Sequence, residues 1–315
     1  MALAYAGISD AKARNAQWSR YCHRRGPAHA EPLALVEAFC KPDWASQNKK
    51  TARLCDTKAV FVQVISDDGS AGWGEAGHEG GVHSARYINE ELDQIVEGTD
   101  VFDADPTWLK MFHAADEMGV PGIAGYAISG IDNALWDLRG KLLGLPCHQL
   151  MGGKFRSRFD LYGSFSRDNG AGGLLSPSEC AKRAEALVLA GFKTIKVRMA
   201  IREEGRDPNP DPSLEVMQAV RRAVGDAIGL YFDPNEGYSV KRALQIGRQV
   251  HEAVGIKVYE SPVAANQMDD LAHIASAMPE VELASGERLA TRWGFRDLML
   301  RGRVDVINLD AAVCG

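Results

Sequence analysis

Three apolar, β-prone runs recur in the second half of the chain, each leading to a carboxylate, and the carboxylates are evenly spaced. Ile228-Gly229-Leu230-Tyr231-Phe232 leads to Asp233, Ile256-Lys257-Val258-Tyr259 to Glu260, and Val281-Glu282-Leu283-Ala284 to Ser285-Gly286-Glu287. Asp233 to Glu260 is 27 residues, and Glu260 to Glu287 is 27 again. Helix-period segments fill the intervals. This is the cadence of a repeated β/α unit, which commits the chain to a parallel sheet whose functional residues gather at the carboxyl ends of the strands. Adjacent parallel strands lie about 5 Å apart, so acids ending three successive strands can converge on one hard divalent cation; carboxylates plus water suit Mg²⁺. Asp233, Glu260 and Glu287 are therefore the candidate metal ligands. The plainer reading, in which each is an ordinary strand-end or turn residue, loses force when three share one topological position.

Periodicity places strands at 159–165, 194–199, 228–232, 256–260, 281–284 and 304–309, with helices at 178–190, 213–224, 239–254, 268–277 and 292–300. Each strand–helix pair has the length of a βαβ crossover. The expected fold is α/β, a (β/α)8-type barrel in residues 154–315. The visible series ends after the sixth strand, whereas a closed barrel of this type has eight. An incomplete barrel is the favoured reading, and an open doubly wound sheet the alternative. Upstream, strand-like runs near 34–39, 59–65 and 73–75 surround the turn Asp67-Asp68-Gly69, followed by helical patterns at 84–96, 106–118 and 124–143. The last stops at Gly144-Leu145-Pro146, a helix-terminating sequence. Residues 33–153 thus read as an α+β domain, and 1–32, without convincing periodicity, as an extension or mobile loop.

The charge balance narrows the partners. With 36 basic against 42 acidic residues the formal charge is −6, which disfavours nucleic acid and anionic membranes as partners because phosphate binding needs concentrated positive charge. A small anionic substrate stays open, since a metal inverts the local field. Six dispersed cysteines without a CxxC pair fit a reducing cytoplasm better than a disulfide framework or a zinc site. No apolar run approaches the roughly 20 residues of a membrane span, and the N-terminus has no signal-peptide pattern.

Within the repeat, Lys196-Val197-Arg198 puts two cations on one strand face, opposite Ile195 and Val197. Two cations beside three acids in a barrel interior are costly unless they belong to a site, although a strand-end ion pair is the plainer alternative. Asn235, two residues past Asp233, could bind a ligand or a catalytic lysine, or be a turn residue. Asp310 closes the run Val306-Ile307-Asn308-Leu309, where a buried aspartate could orient a histidine. His251 and His273 fall in helical segments and read as surface or packing residues.

Taken in order, Gly191-Phe192-Lys193-Thr194-Ile195-Lys196-Val197-Arg198, Asp233-Pro234-Asn235, Glu260-Ser261-Pro262, Ser285-Gly286-Glu287 and Asn308-Leu309-Asp310 resemble the mandelate racemase and muconate lactonizing enzyme branch of the enolase superfamily. So does the stretch from Ala127 to Lys141, with Leu150-Met151-Gly152-Gly153 leading into the barrel. The similarity runs from about Leu33 to the end. It implies abstraction of the proton α to a substrate carboxylate, with Mg²⁺ on Asp233, Glu260 and Glu287 and nearby cations stabilising the enediolate. It also implies that Asp310 supports a histidine from a seventh strand, which would lie beyond Gly315. The N-terminal α+β domain resembles a cap over the barrel mouth, which makes Arg25, His29 and His78 candidate substrate contacts alongside Asn235. Family members commonly form symmetric homo-oligomers.

One departure bears on the reaction. The racemase-type pattern is lysine-any-lysine with the second lysine as base, and here that position is Arg198. Arginine stays protonated, so it serves as a clamp rather than a base. A single-base reaction follows, the dehydration of an acid sugar, with Lys196, Arg198 and Asp310 as the catalytic set. Lys196 itself reads either as a positive charge beside the substrate carboxylate or as a base with lowered pKa. The alternatives are a racemase or epimerase of an α-substituted carboxylate, and a non-catalytic metal-binding member. A Schiff-base aldolase on Lys196 leaves the three acids unexplained.

Overall fold

Alternation of β-branched residues builds the first sheet. Strands β1 (Leu33–Lys41), β2 (Ala59–Ser66) and β3 (Ala71–Ala76) pair antiparallel in the order β1-β2-β3. These coordinates are a computed structural model that describes residues 59–77, 80–169 and 172–315, and the backbone of 33–41. Val60, Val62 and Val64 of β2 are fully buried, while Phe61 between them is exposed, and each buried valine contributes roughly 1.5–3 kcal/mol of hydrophobic stabilisation. Their cover includes Ile128, Ile131 and Leu135 of a 21-residue helix, Ile123–Leu143.

That helix is α4. Before it come α1 (Gly81–Tyr87), a π-helical turn Ile88–Leu92, α2 (Asp93–Val96) and α3 (Ala104–Ala115), and the short α5 (Cys147–Leu150) follows it. The segment expected as one helix at 84–96 is thus helical from Gly81 with a wide turn inside it. β3 meets α4 backbone to backbone: a Cβ on Gly74 would stand 2.1 Å from the Gly130 carbonyl oxygen, and one on Gly72 2.1 Å from that of Ala134. Asp137 accepts the Trp73 amide at 2.8 Å and pairs with Lys141 at 2.6 Å, fixing the strand's height on the helix. α4 ends in a Schellman cap, with Gly144 at φ 66° and Leu145 N–H donating to Gly140 O at 2.8 Å.

Contacts divide the chain into two units. The last six residues, Asp310–Gly315, group with the first unit, and the second is built on Arg158–Leu309. The boundary so drawn lies a few residues past the expected one at 153/154, and it removes Asp310 from the segment in which the sequence reading placed it.

The second unit is a six-stranded parallel sheet: β4 (Gly163–Ser166), β5 (Thr194–Arg198), β6 (Gly229–Asp233), β7 (Val258–Glu260), β8 (Glu282–Ser285) and β9 (Val306–Ile307). Helices α6 (Pro177–Leu189), α7 (Ser213–Val224), α8 (Val240–Val254), α9 (Met268–Ala277) and α10 (Thr291–Asp297) connect them. Spatial order equals chain order, β4 through β9, and α6, α7, α8 and α9 pack successively on one another. A doubly wound sheet needs a reversal of strand order, and none occurs here. Consecutive parallel strands with helices stacked in sequence are the arrangement of a (β/α)8 barrel. Ile195 and Val197 of β5 are fully buried, so Lys196 and Arg198 take the opposite face, as the alternation required.

The edges differ from expectation. β4 starts at Gly163 instead of 159, and Phe159 and Leu161 are exposed. β9 is confined to Val306–Ile307, because only these residues pair with Ala284 and Ser285. No helix among the described residues is long and apolar enough to cross a membrane.

Candidate functional site

The carboxyl ends of β5, β6, β7 and β8 bring five chemistry-bearing residues together. Asp233 is the last residue of β6 and Glu260 the last of β7, and both are almost fully buried. Glu287 lies two residues past β8, beyond Gly286, whose φ of 118° turns the chain there. From β5, Lys196 extends its ammonium between the first two acids. Nζ donates to Glu260 Oε1 and forms an ion pair with Asp233 Oδ2 at 3.0 Å. Asn308 also donates to the Glu260 carboxylate.

Asn235 ties the other half together. It is buried, its backbone held at φ 53° in the left-handed region that asparagine tolerates better than most residues. Its amide N–H donates to Asp233 Oδ1 at 2.8 Å, its Nδ2 to Glu287 Oε1 at 3.0 Å, and its Oδ1 accepts from Arg198 Nη2 at 2.9 Å. Arg198 Nη1 also donates to Ser166 Oγ at 3.0 Å, at the end of β4. The side chain expected to face a substrate is therefore engaged with two charged protein groups, which makes it a positioning residue in this arrangement.

Charge explains the titration behaviour. Burial raises the Asp233 and Glu260 carboxyls above the ordinary range against the pull of Lys196, and Asp233 adds to the rise at Glu260. Burial, then the neighbouring Asp233, pushes the Glu287 carboxyl up to about 7. Burial also works against the Lys196 ammonium, but Asp233 and Glu260 outweigh it and hold its pKa above the ordinary lysine value. As placed, the two acids favour the ammonium form of Lys196.

A hard divalent cation fits this donor set in kind. Two buried carboxylates and a third with raised pKa are oxygen donors short of positive charge. As placed, among the described residues no three His, Cys, Asp or Glu side chains are grouped so as to hold a metal. The Lys196 ammonium takes the space between two of them, and a metal would require it to yield.

Other expected residues fare differently. Asp310 was expected as a buried strand-end aspartate, but it is exposed, three residues beyond β9. Its Oδ1 accepts the Ala312 amide at 2.9 Å in a turn of the first unit. Pairing of β9 stops at Ile307, which leaves Asp310 outside the sheet. Arg25, His29 and His78 lie outside the described residues. His251 sits on α8 with Nδ1 3.2 Å from Ile256 O, and His273 is exposed on α9. Sequence reasoning missed Ser166, Glu236, Arg288 and Asn308. Their signal was positional, each lying at or just past a strand's carboxyl end, but single polar residues there have no spacing to set them apart.

Comparison with known proteins points to one family. The model of the mandelate racemase/muconate lactonizing enzyme N-terminal domain matches residues 39–152, and that of the enolase C-terminal domain-like family matches 179–315. D-Galactarolactone cycloisomerase of Agrobacterium fabrum is 32% identical over 258 residues, 81% of this chain and 64% of that protein. Arabinonate dehydratase of Saccharolobus solfataricus is 30% identical over 81% of this chain and 66% of its own length. D-Galactonate dehydratase of Pectobacterium atrosepticum is 29% identical over 81% and 65%. The chain spans just under two thirds of these relatives. A mandelate racemase/muconate lactonizing protein from Paracoccus denitrificans, solved in complex with magnesium, superposes with a TM-score of 0.79 at 29% identity, covering 90% of this chain and 72% of that one.

Proposed function

The chain belongs to the mandelate racemase/muconate lactonizing enzyme family of the enolase superfamily, and on that premise we propose that it takes part in the dehydration of an acid sugar: the proton α to the carboxylate passes to a basic side chain other than Lys196 and Arg198, both cations in this arrangement, and the β-hydroxyl leaves as water on protonation, giving a 2-keto-3-deoxy acid. The observation that carries this reading is the assembly of buried Asp233 and Glu260 with partly buried Glu287, Lys196 and Arg198 at the ends of four successive parallel strands. Relatives named arabinonate and D-galactonate dehydratase support the choice of substrate class.

A proton α to a carboxylate is very weakly acidic, so the charge released on its removal must meet positive charge already in place. Asp233, Glu260 and Glu287 would hold Mg²⁺, which when bound supplies a Lewis acid at the substrate carboxylate. Arg198 contributes a permanent cation, and Ser166 and Asn235 fix its orientation through both terminal nitrogens. Lys196, held as an ammonium, is a donor and a counter-charge in this arrangement. Asn235 keeps Glu287 in register with Asp233 through one amide and one backbone N–H.

A panel of acid sugars incubated in D₂O with and without Mg²⁺ tests the proposal. The expected result is Mg²⁺-dependent keto-acid formation. Exchange of the α-proton without loss of water would favour an epimerase, and lactone opening or closure a cycloisomerase. A borohydride-trapped adduct at Lys196 would favour Schiff-base chemistry. Neither exchange nor product with any acid would overturn α-proton abstraction.

A further inference from the structure

Beside the carboxylates of the site, the same strand ends carry a second group that the proposed chemistry does not use. Arg202 follows β5, Glu236 follows β6 and Arg288 follows Glu287. Both guanidinium groups converge on one oxygen: Arg288 Nη1 lies 3.0 Å and Arg202 Nη1 3.6 Å from Glu236 Oε2. The other oxygen, Oε1, accepts the Ala265 amide at 3.3 Å. Glu236 is largely buried, its side chain 11% exposed, whereas those of Arg202 and Arg288 are 47% and 45% exposed. A buried carboxylate thus aims two half-exposed cations, and among the described residues only one terminal nitrogen of Arg202, of its five N–H donors, faces Glu236.

Arg288 connects this rim to the floor of the site. Its Nη2 lies 3.5 Å from Asn235 Oδ1, the atom that also accepts from Arg198, and its Nε lies 3.7 Å from Glu287 Oε1. The backbone is held to this purpose: Asn235 and Glu236 are successive non-glycine residues in the left-handed region, at φ 53° and 61°. Such strain costs roughly 1–3 kcal/mol per residue and persists where the surroundings enforce it.

We propose that Arg202 and Arg288, oriented by Glu236, receive a second carboxylate of the substrate, so that the site prefers dicarboxylic acid sugars to monocarboxylic ones. The inference rests on the metal-and-carboxylate reading above and names the substrate class within it. Charge bookkeeping leads the same way. Asp233, Glu236, Glu260 and Glu287 are matched by Lys196, Arg198, Arg202 and Arg288, so the two charges of a bound divalent cation remain for the ligand, and a dianion matches them. A terminal carboxylate is also the group that a guanidinium binds bidentately.

The test uses the full chain with Mg²⁺ and measures affinity by calorimetry for paired hexaric and hexonic acids of the galacto, gluco and manno configurations, which differ only in whether C6 is a carboxylate. The expected result is that at least one diacid binds about ten-fold or more tighter than its monoacid twin, a difference of about one decade in Kd. In an Arg202→Met/Arg288→Met variant that ratio should fall to near one, and in Glu236→Gln, which releases both guanidinium groups from their internal partner, it should rise. A merely structural role would move both variants in the same direction. Equal affinity within every pair, no binding of any acid by protein that binds Mg²⁺, or a ratio unmoved in the double variant would overturn the inference alone. Failure of Mg²⁺ itself to bind would overturn the metal reading and this inference with it.

Discussion

Lys196 shows how much one side chain can decide. Its ammonium is the only positive charge hydrogen-bonded to the Glu260 carboxylate among the described residues, and Asp233 faces the same nitrogen. Removing one partner of a buried pair leaves the other uncompensated, which typically costs 3–5 kcal/mol. Lys196→Met should therefore lower the stability of the protein in EDTA by about 3 kcal/mol in urea denaturation, and Mg²⁺ should restore more stability to the variant than it adds to the wild type. A variant as stable as wild type in EDTA would mean that the two acids are neutral or solvated. Cys180, on the inner side of α6, offers a contrast: it is fully buried, and burial pushes its thiol up to about 11. Only the thiolate reacts, so at pH 8 roughly one part in a thousand is available even before access is considered. Alkylation read by peptide mass spectrometry should leave Cys180 unmodified in the native protein at pH 8 and label it fully after unfolding. Rapid native labelling would contradict its buried placement.

At the scale of elements, periodicity made α7 and α9 legible to the residue, 213–224 and 268–277. Both carry one apolar stripe between clear turn signals. The edge elements were less legible. β4 and β9 are shorter than their apolar runs because strand length is set by the partner's hydrogen bonds, which sequence does not display. The floor of the site was readable because three acids repeat at one interval. The rim was not, since Arg202, Glu236 and Arg288 each look like ordinary loop residues until the loops are folded. Asp310 lies past the last pairing of β9, which stops at Ile307, so its surroundings are not set by the sheet. The contact of β3 with α4 gives an element-scale prediction. Gly74→Ala places a methyl 2.1 Å from the Gly130 carbonyl oxygen and 2.6 Å from the Ala134 nitrogen. Both are backbone atoms in mid-helix, so relief requires the strand to move. The expected loss is about 2–3 kcal/mol in denaturant unfolding, at the upper end of overpacking costs. A loss under ~0.5 kcal/mol, the range of surface substitutions, would show that the strand moves freely.

For the molecule as a whole, strand order equal to chain order is what allows acids 27 residues apart to meet. Each 27-residue step moves one strand across the sheet and returns to the same end of it, so interval in sequence becomes adjacency in space. The carboxylates, their internal counter-ions and the rim arginines all depend on that conversion. The most direct test of the central claim, that Asp233, Glu260 and Glu287 hold one divalent cation, is calorimetric titration of Mg²⁺ into the full chain and into Glu260→Gln. The expected result is one site per wild-type chain and an affinity at least about ten-fold weaker in the variant, since even supporting residues around a metal are worth that much. No binding to the wild type, or equal binding to both, would contradict it.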